Sequence, residues 1–172
     1  MRVSKNHPVV SAAAKRPAEI LMLEDSATDA ELAHRALHRG RIGNPLKVIS
    51  SGEQALDYLL GTGEFAKRGP ARPLLILLDL QLPGMSGLDF LRKIKSDERT
   101  WSIPVVSLSM TTSAPAIVMC LRLGVAEHMI KPIDAAALGR VATKLKLNLS
   151  KRAATVAAAE VKSANNSVKA GR

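Results

Sequence analysis

Residues 74–79, Leu-Leu-Ile-Leu-Leu-Asp, form the most hydrophobic run of the chain, and the turn signal Leu82-Pro83-Gly84 follows them. A short apolar run bounded by proline and glycine predicts a strand that is buried on both faces, as the inner strands of a parallel sheet are. The carboxylate of Asp79 at its end is costly to desolvate, so we expect it where a ligand or a cation can reach it. Taken alone, the segment fits equally well an aspartate that caps the following loop.

Short apolar segments and amphipathic segments alternate from residue 19 to residue 149. The apolar segments predict strands over residues 19–23, 46–49, 74–78, 105–108 and 127–130. The amphipathic segments predict five helices: from Ser26 or Thr28 to Gly40, over 52–60, 87–96 and 114–123, and from a cap at Asp134 through Leu138, Val141, Leu145 and Leu149, with an end that the pattern leaves open. Strands and helices in strict alternation predict a doubly wound α/β domain around a mainly parallel sheet.

The net charge of +10 is concentrated at the two ends of the 172-residue chain. Residues 1–16 carry four basic and no acidic side chains, residues 140–172 carry eight basic and one acidic, and residues 17–139 carry 13 basic and 14 acidic. We therefore predict three parts: a disordered basic extension over 1–17, a folded domain over 18–150 and a basic Ala/Lys-rich tail over 151–172. Basic ends on a neutral domain, with only 2% aromatic residues, argue against a specific nucleic-acid reader that stacks bases.

Cys120 is the only cysteine, so the chain can form neither an intramolecular disulfide nor a zinc site built from cysteines. We expect a buried thiol in a protein of the reducing cytoplasm. No apolar stretch has the length of a membrane span, and the N-terminus lacks the apolar core of a signal peptide. A membrane partner is therefore not expected.

Polar side chains follow four of the five predicted strands. Glu24 and Asp25 follow the first strand, Asp79 the third, Ser109 the fourth and Lys131 the fifth. Because the carboxyl ends of parallel strands lie at one edge of a sheet, we expect these side chains in one cleft. Carboxylates crowded together repel one another and favour a hard cation such as Mg²⁺. One carboxylate can then act as the acceptor of a phosphoryl group, whose oxygens Lys131 and Ser109 would contact.

The same segments resemble the receiver domain of two-component response regulators over about residues 18–139. The resemblance is carried by Leu23-Glu24-Asp25, Leu77-Leu78-Asp79, Pro83-Gly84-Met85-Ser86-Gly87, the run from Pro104 to Ser109, and Lys131-Pro132. It implies a (βα)5 flavodoxin-like fold with a central five-stranded parallel sheet. It also implies that Asp79 accepts phosphate from a sensor histidine kinase, and that Glu24, Asp25, Asp79 and the backbone carbonyl of Gln81 organise Mg²⁺.

The resemblance further implies that Ser109 and Lys131 couple phosphorylation to a shift of the surface. Such a chain is a bacterial, cytoplasmic phosphoprotein and a switch rather than an enzyme, and we expect it to act through a protein contact, including a homodimer. The loop over residues 61–73, with Gly63-Glu64-Phe65, resembles that of stand-alone regulators paired with phytochrome-type kinases. Three positions before Lys131 the family usually has an aromatic switch residue. This chain has His128, which is open to two interpretations, a switch or a structural histidine at the strand edge.

Two other functional classes are compatible with parts of the pattern. An aspartate-nucleophile phosphatase or phosphotransferase of related topology would have a second acid two residues after the nucleophile, and Gln81 stands there. A nucleic-acid-binding regulator would use the basic tail, but no helix-turn-helix pattern follows the domain. We therefore expect a phosphoacceptor switch without specific nucleic-acid binding.

Overall fold

The computed structural model describes residues 18–110 and 114–151. All five strands are parallel and form one sheet in the order β2-β1-β3-β4-β5. The strands are β1 (Ile20–Leu23), β2 (Leu46–Ile49), β3 (Leu75–Asp79), β4 (Val105–Ser109) and β5 (Glu127–Ile130). The predicted flavodoxin-like α/β fold is confirmed. The third and fourth strands each extend one residue beyond the predicted end, so that Asp79 and Ser109 are the last residues of their strands.

Five helices connect and follow the strands. They are α1 (Ala27–Arg39), α2 (Gly52–Leu60), α3 (Gly87–Ser96), α4 (Ala114–Arg122) and α5 (Ala135–Lys144). Of the two predicted caps of the first helix, Ser26 is the one that acts, since its hydroxyl accepts a hydrogen bond from the backbone N–H of Asp29. Asp134 caps α5 as predicted, with its carboxylate accepting from the N–H groups of Ala136 and Ala137.

The sheet is covered on both faces, which explains why its inner strands are apolar without alternation. On one face, residues such as Leu21, Ile76 and Leu78 pack with α2, α3 and α4. On the other face, Ile20 and Leu77 pack with α1 and α5. All residues of β1 and β3 are buried. No helix among the described residues has both the length and the apolar character to cross a membrane.

The last helix ends earlier than its apolar spacing indicates. Leu145 is its C-cap, and Lys146 takes the left-handed conformation with φ 54°. The N–H of Leu147 then donates to the carbonyl of Ala142, which closes the helix end. Leu149 therefore lies outside the helix, although it still packs against the core.

After α5 the chain returns along the loop between α1 and β2. The N–H of Gly43 donates to the carbonyl of Ser150, and the N–H of Ser150 donates to the side chain of Asn44. Lys151 forms an antiparallel bridge with Ile42. The predicted N-terminal extension and the tail beyond Lys151 lie outside the described residues.

The order of the strands determines where the site forms. This order reverses between β1 and β3, because β2 lies on the side of β1 away from β3, whereas β4 lies on the side of β3 away from β1. In open α/β sheets a crevice forms at such a point, outside the carboxyl ends of the strands. Asp79 ends β3 at this crevice, and β4 and β5 end beside it, with Ser109 in register with Ile130.

Two glycine substitutions test how tightly the loop after β3 is packed. A Cβ at Gly87 would lie 2.4 Å from the carbonyl oxygen of Asp79 and 2.7 Å from the Cα of Leu80, whereas a Cβ at Gly139 in α5 meets nothing within 4 Å. Gly87→Ala must displace backbone, so we expect a loss of about 1–3 kcal/mol of unfolding free energy in urea titrations. Gly139→Ala should gain up to about 1 kcal/mol from helix propensity. Equal effects of the two changes would contradict the packing described here.

Candidate functional site

Three carboxylates lie together at the crevice. Glu24 follows β1 directly, Asp25 comes next, and Asp79 ends β3. Each offers an oxygen, and these oxygens lie within 4.8 Å of one another. Glu24 is 2% exposed and Asp79 is 5% exposed, whereas Asp25 is open to solvent. The cluster thus has two buried carboxylates and one carboxylate that faces solvent, so a hydrated cation could reach it from the solvent.

Lys131 lies in the middle of the acidic groups, immediately after β5. Its Nζ is 2.5 Å from Asp79 Oδ2, 2.6 Å from Glu24 Oε2 and 2.9 Å from Asp29 Oδ2. Burial alone would lower the pKa of the ammonium, but hydrogen bonds from it to Asp79, Glu24 and Asp29 raise the pKa instead. Lys131 is therefore charged at neutral pH, and it partly neutralises the cluster.

The two oxygens of Asp79 have different partners. Oδ2 accepts from Lys131, and Oδ1 accepts from the backbone N–H of Gln81 at 2.8 Å. The loop after β3 is also closed by the N–H of Gly87, which donates to the carbonyl of Leu80. The Asp79 side chain is thus held in one orientation by an ammonium and a backbone amide.

Glu24 shows that the donor set suits a metal ion. Its Oε1 accepts from the N–H of Ser26, whereas its buried Oε2 contacts the ammonium of Lys131 at 2.6 Å. Burial raises the pKa of this carboxyl, against the opposing effects of Lys131 and Ser26. A desolvated carboxylate oxygen with spare lone pairs is stabilised by a hard divalent cation. The residues present therefore fit Mg²⁺, which Glu24, Asp25 and Asp79 would hold.

Ser109 and His128 lie on the neighbouring strands β4 and β5. Nε2 of the His128 ring is 3.2 Å from Ser109 Oγ, and Nδ1 is 2.9 Å from Ser107 Oγ. The ring is partly buried, and burial lowers its pKa, against a smaller opposing effect of Glu127. His128 is therefore neutral at pH 7 and is hydrogen-bonded at both nitrogens.

Two residues that contact the site were not predicted from the sequence. Asp29 lies in the first turn of α1, four residues after Asp25, and that spacing at a helix start was the available signal. Ser107 is fully buried on β4, and the sequence offered only its hydroxyl among apolar neighbours as a sign of its contact with His128. Both roles depend on contacts between elements that are far apart in the sequence.

Comparison with known proteins identifies the family. The crevice of this five-stranded sheet, with its acidic cluster and its lysine, defines a receiver, a phosphorylated signalling switch rather than an enzyme. Residues 20–143 match the response regulator receiver domain. The chain belongs to this family, which decides against the phosphatase alternative.

Relatives and solved structures agree with this identification. The probable methanogenesis regulatory protein FilR2 of Methanothrix harundinacea is 35% identical over 77% of this chain and 84% of its own length. The bacteriophytochrome response regulator RtBRR is 35% identical, with a TM-score of 0.70 over 78% of this chain and 81% of that one. The Mn²⁺-bound form of response regulator Rcp1 is 30% identical, with a TM-score of 0.64 over 80% of this chain and 100% of that one.

Replacing Lys131 tests the charge balance of the cluster. Lys131→Met leaves Glu24 and Asp79 buried without their counter-charge, so we expect a loss of about 3–5 kcal/mol of unfolding free energy. Added Mg²⁺ should restore more stability to this variant than to the wild type, because a cation then replaces the lost ammonium. Urea titrations with and without MgCl₂ measure both effects.

Lys144→Met is the matched control, since Lys144 pairs with Glu127 on the surface, where the two side chains are 61% and 38% exposed. Its loss should be below about 1 kcal/mol and independent of Mg²⁺. Similar losses in the two variants would show that the buried pairs of Lys131 have no special weight.

Proposed function

We propose that this chain acts as a phosphoacceptor switch of a two-component system. In this proposal Asp79 accepts a phosphoryl group from a sensor histidine kinase with Mg²⁺, and the modification switches a protein-interaction surface. The observation that carries the proposal is the position of Asp79, which is buried at the end of β3 against Lys131 and beside Glu24 and Asp25. A structural ion pair alone would not need two further carboxylates at the same point.

The transfer is a displacement at phosphorus. A carboxylate oxygen of Asp79 attacks the phosphorus, the bond from phosphorus to the donor nitrogen breaks, and the donor imidazole leaves with the electron pair. An acyl phosphate forms, which is a known product of an aspartate nucleophile. Negative charge then lies on the phosphoryl oxygens, and Lys131 follows it as a mobile point charge.

The other residues hold and orient the reacting groups. Glu24, Asp25, Asp79 and the backbone carbonyl of Gln81 would hold Mg²⁺, which when bound offsets the negative charge of the entering phosphoryl group. The N–H of Gln81 keeps Asp79 oriented toward the crevice. Ser109 would donate a hydrogen bond to a phosphoryl oxygen.

The signal leaves the site through β4 and β5. Ser109 and His128 form the proposed switch pair, and the surface that they support consists of α4, β5 and α5. This surface carries exposed apolar side chains, namely Val118, Met119, Leu121 and Ile130. Exposed apolar area of this kind marks a contact site, and we propose a second copy of this chain as the occupant.

The partner kinase, the cellular location and the extent of the receiver are also part of the proposed function. The similarity to a bacteriophytochrome response regulator supports a phytochrome-type histidine kinase as the partner and a bacterial cytoplasmic location. We further propose that residues 18–150 form the receiver, between basic segments over 1–17 and 151–172. Specific nucleic-acid binding and membrane binding are not part of the proposal.

Incubation with acetyl phosphate and MgCl₂, followed by intact mass, tests the acceptor. We expect one phosphoryl adduct that is lost in base, and none in Asp79→Asn, because an amide cannot form the acyl phosphate. Asp89→Asn is the matched control, since Asp89 is a solvent-exposed carboxylate on α3. An adduct that persists in Asp79→Asn, or that does not depend on Mg²⁺, would refute the proposal.

The same phosphorylated sample on a sizing column tests the surface. We expect a shift toward the dimer on phosphorylation, since an added charge of about −1.5 to −2 beside Lys131 biases a two-state surface. Leu121→Glu on the exposed face of α4 should abolish the shift but leave the mass adduct intact. An elution volume that phosphorylation does not change would exclude the dimer.

A further inference from the structure

Asp29 is a partner of Lys131 that the metal site does not explain. It lies in the first turn of α1, and its Oδ2 is 2.9 Å from Nζ of Lys131. Among the described residues, the carboxylates whose oxygens come within 4.8 Å of one another are those of Glu24, Asp25 and Asp79. Asp29 is outside this group, and its side chain is 29% exposed, against 0% for Glu24 and 6% for Asp79. Its contact with the ammonium therefore calls for a separate account.

The other two partners of Lys131 are also candidate metal ligands. The ammonium contacts Oε2 of Glu24 and Oδ2 of Asp79, whereas the second oxygen of each carboxylate accepts from a backbone N–H, that of Ser26 or Gln81. A divalent cation held by the same two carboxylates comes close to the ammonium, and like charges repel each other. Lys131 therefore needs a further partner if it is to stay in the crevice together with a cation.

The start of α1 holds Asp29 in the position that this role requires. The N–H of Asp29 donates to the hydroxyl of Ser26, and the N–H of Ser26 donates to Oε1 of Glu24, so the helix start is attached to the end of β1. The unpaired N–H groups of a first helical turn also favour a carboxylate there. An ammonium has three N–H groups, so Lys131 can keep one toward Asp29 while the other two change partners.

We propose that Asp29 is a positioning residue of the phosphoacceptor site. It holds the Lys131 ammonium on the α1 side of the crevice, so that Glu24 and Asp79 can take a divalent cation while the lysine stays within reach of a phosphoryl group on Asp79. This inference rests on the proposed function and deepens it. Asp29 acts through Lys131 and contributes no ligand to the cation.

The affinity for Mg²⁺, measured by titration calorimetry, tests the inference without any phosphorylation. In Asp29→Asn the ammonium rests on Glu24 and Asp79 alone, and the cation has to displace it. We expect the Kd for Mg²⁺ to rise about tenfold, as the loss of one hydrogen bond between charged groups implies. Glu31→Gln is the matched control, because it removes the same charge from α1 at a surface residue that pairs with Arg35. It should change the Kd by less than about twofold, and equal effects of the two variants would overturn the inference.

A double-mutant cycle tests whether Asp29 acts through Lys131. In a Lys131→Met background, Asp29→Asn should change the Kd for Mg²⁺ by no more than about twofold, since no ammonium remains to be held. A tenfold effect that persists there would show that Asp29 acts on the cation directly, and would overturn the inference.

The ammonium signal of Lys131 in ¹H–¹⁵N spectra gives a second reading that does not require Lys131→Met to fold. The signal is assigned by its loss in Lys131→Arg. With saturating MgCl₂ the wild type should keep a slowly exchanging ammonium, because the hydrogen bond to Asp29 persists, and Asp29→Asn should lose it. A wild-type signal that MgCl₂ abolishes, or a signal that Asp29→Asn retains, would contradict the holding role of Asp29.

The rate of adduct formation from acetyl phosphate at saturating MgCl₂ tests the consequence for phosphorylation. It should fall about fivefold in Asp29→Asn, because Lys131 is no longer held beside the phosphoryl oxygens, and should stay within about twofold of the wild type in Glu31→Gln. An unchanged rate in Asp29→Asn would overturn the inference. Failure of the proposed function gives a different result. In that case the wild type forms no adduct at Asp79, while the Mg²⁺ affinities and the ammonium signal still report whether Asp29 holds Lys131.

Discussion

The burial of the Lys131 ammonium among carboxylates is the interaction on which the site depends. It joins four separate places in the chain, because Glu24 follows β1, Asp29 lies in the first turn of α1, Asp79 ends β3 and Lys131 follows β5. Buried ion pairs stabilise a fold little compared with apolar packing of the same volume. Their presence is better explained by the excess negative charge that remains. With Asp25 the site has four carboxylates and one ammonium. The negative charge that remains favours the binding of a further cation, and a phosphoryl group could bind to that cation.

Most of the fold could be predicted because the strands are short apolar runs that alternate regularly with amphipathic helices. The strands Leu46–Ile49 and Glu127–Ile130 and the helices Gly52–Leu60 and Gly87–Ser96 have the predicted bounds. The end of the last helix could not be predicted in this way. Lys146 takes a left-handed conformation that glycine usually provides, and the apolar spacing continues to Leu149 for a different reason, since that residue packs on the core from a returning segment.

The sequence could predict those site residues that lie at or just after the ends of strands. Glu24, Asp25, Asp79, Ser109 and Lys131 all follow from one rule, that parallel strands deliver their carboxyl ends to one edge. Asp29 does not follow from that rule, because its direction depends on how α1 crosses the sheet. The contact of Ser107 with His128 depends on the register of β4 against β5, which the sequence of neither strand contains.

In the proposed switch, His128 restricts how a signal could leave the site. An aromatic ring at this position, held by packing alone, can rotate when its surroundings change. The His128 ring is held at both nitrogens, so its rotation would break two hydrogen bonds. In the proposed switch, a signal that keeps both hydrogen bonds would pass through a shift of β4 and β5 together. Because Ser107 also contacts Cys120, such a shift would reach α4, where Val118 and Leu121 are exposed apolar side chains.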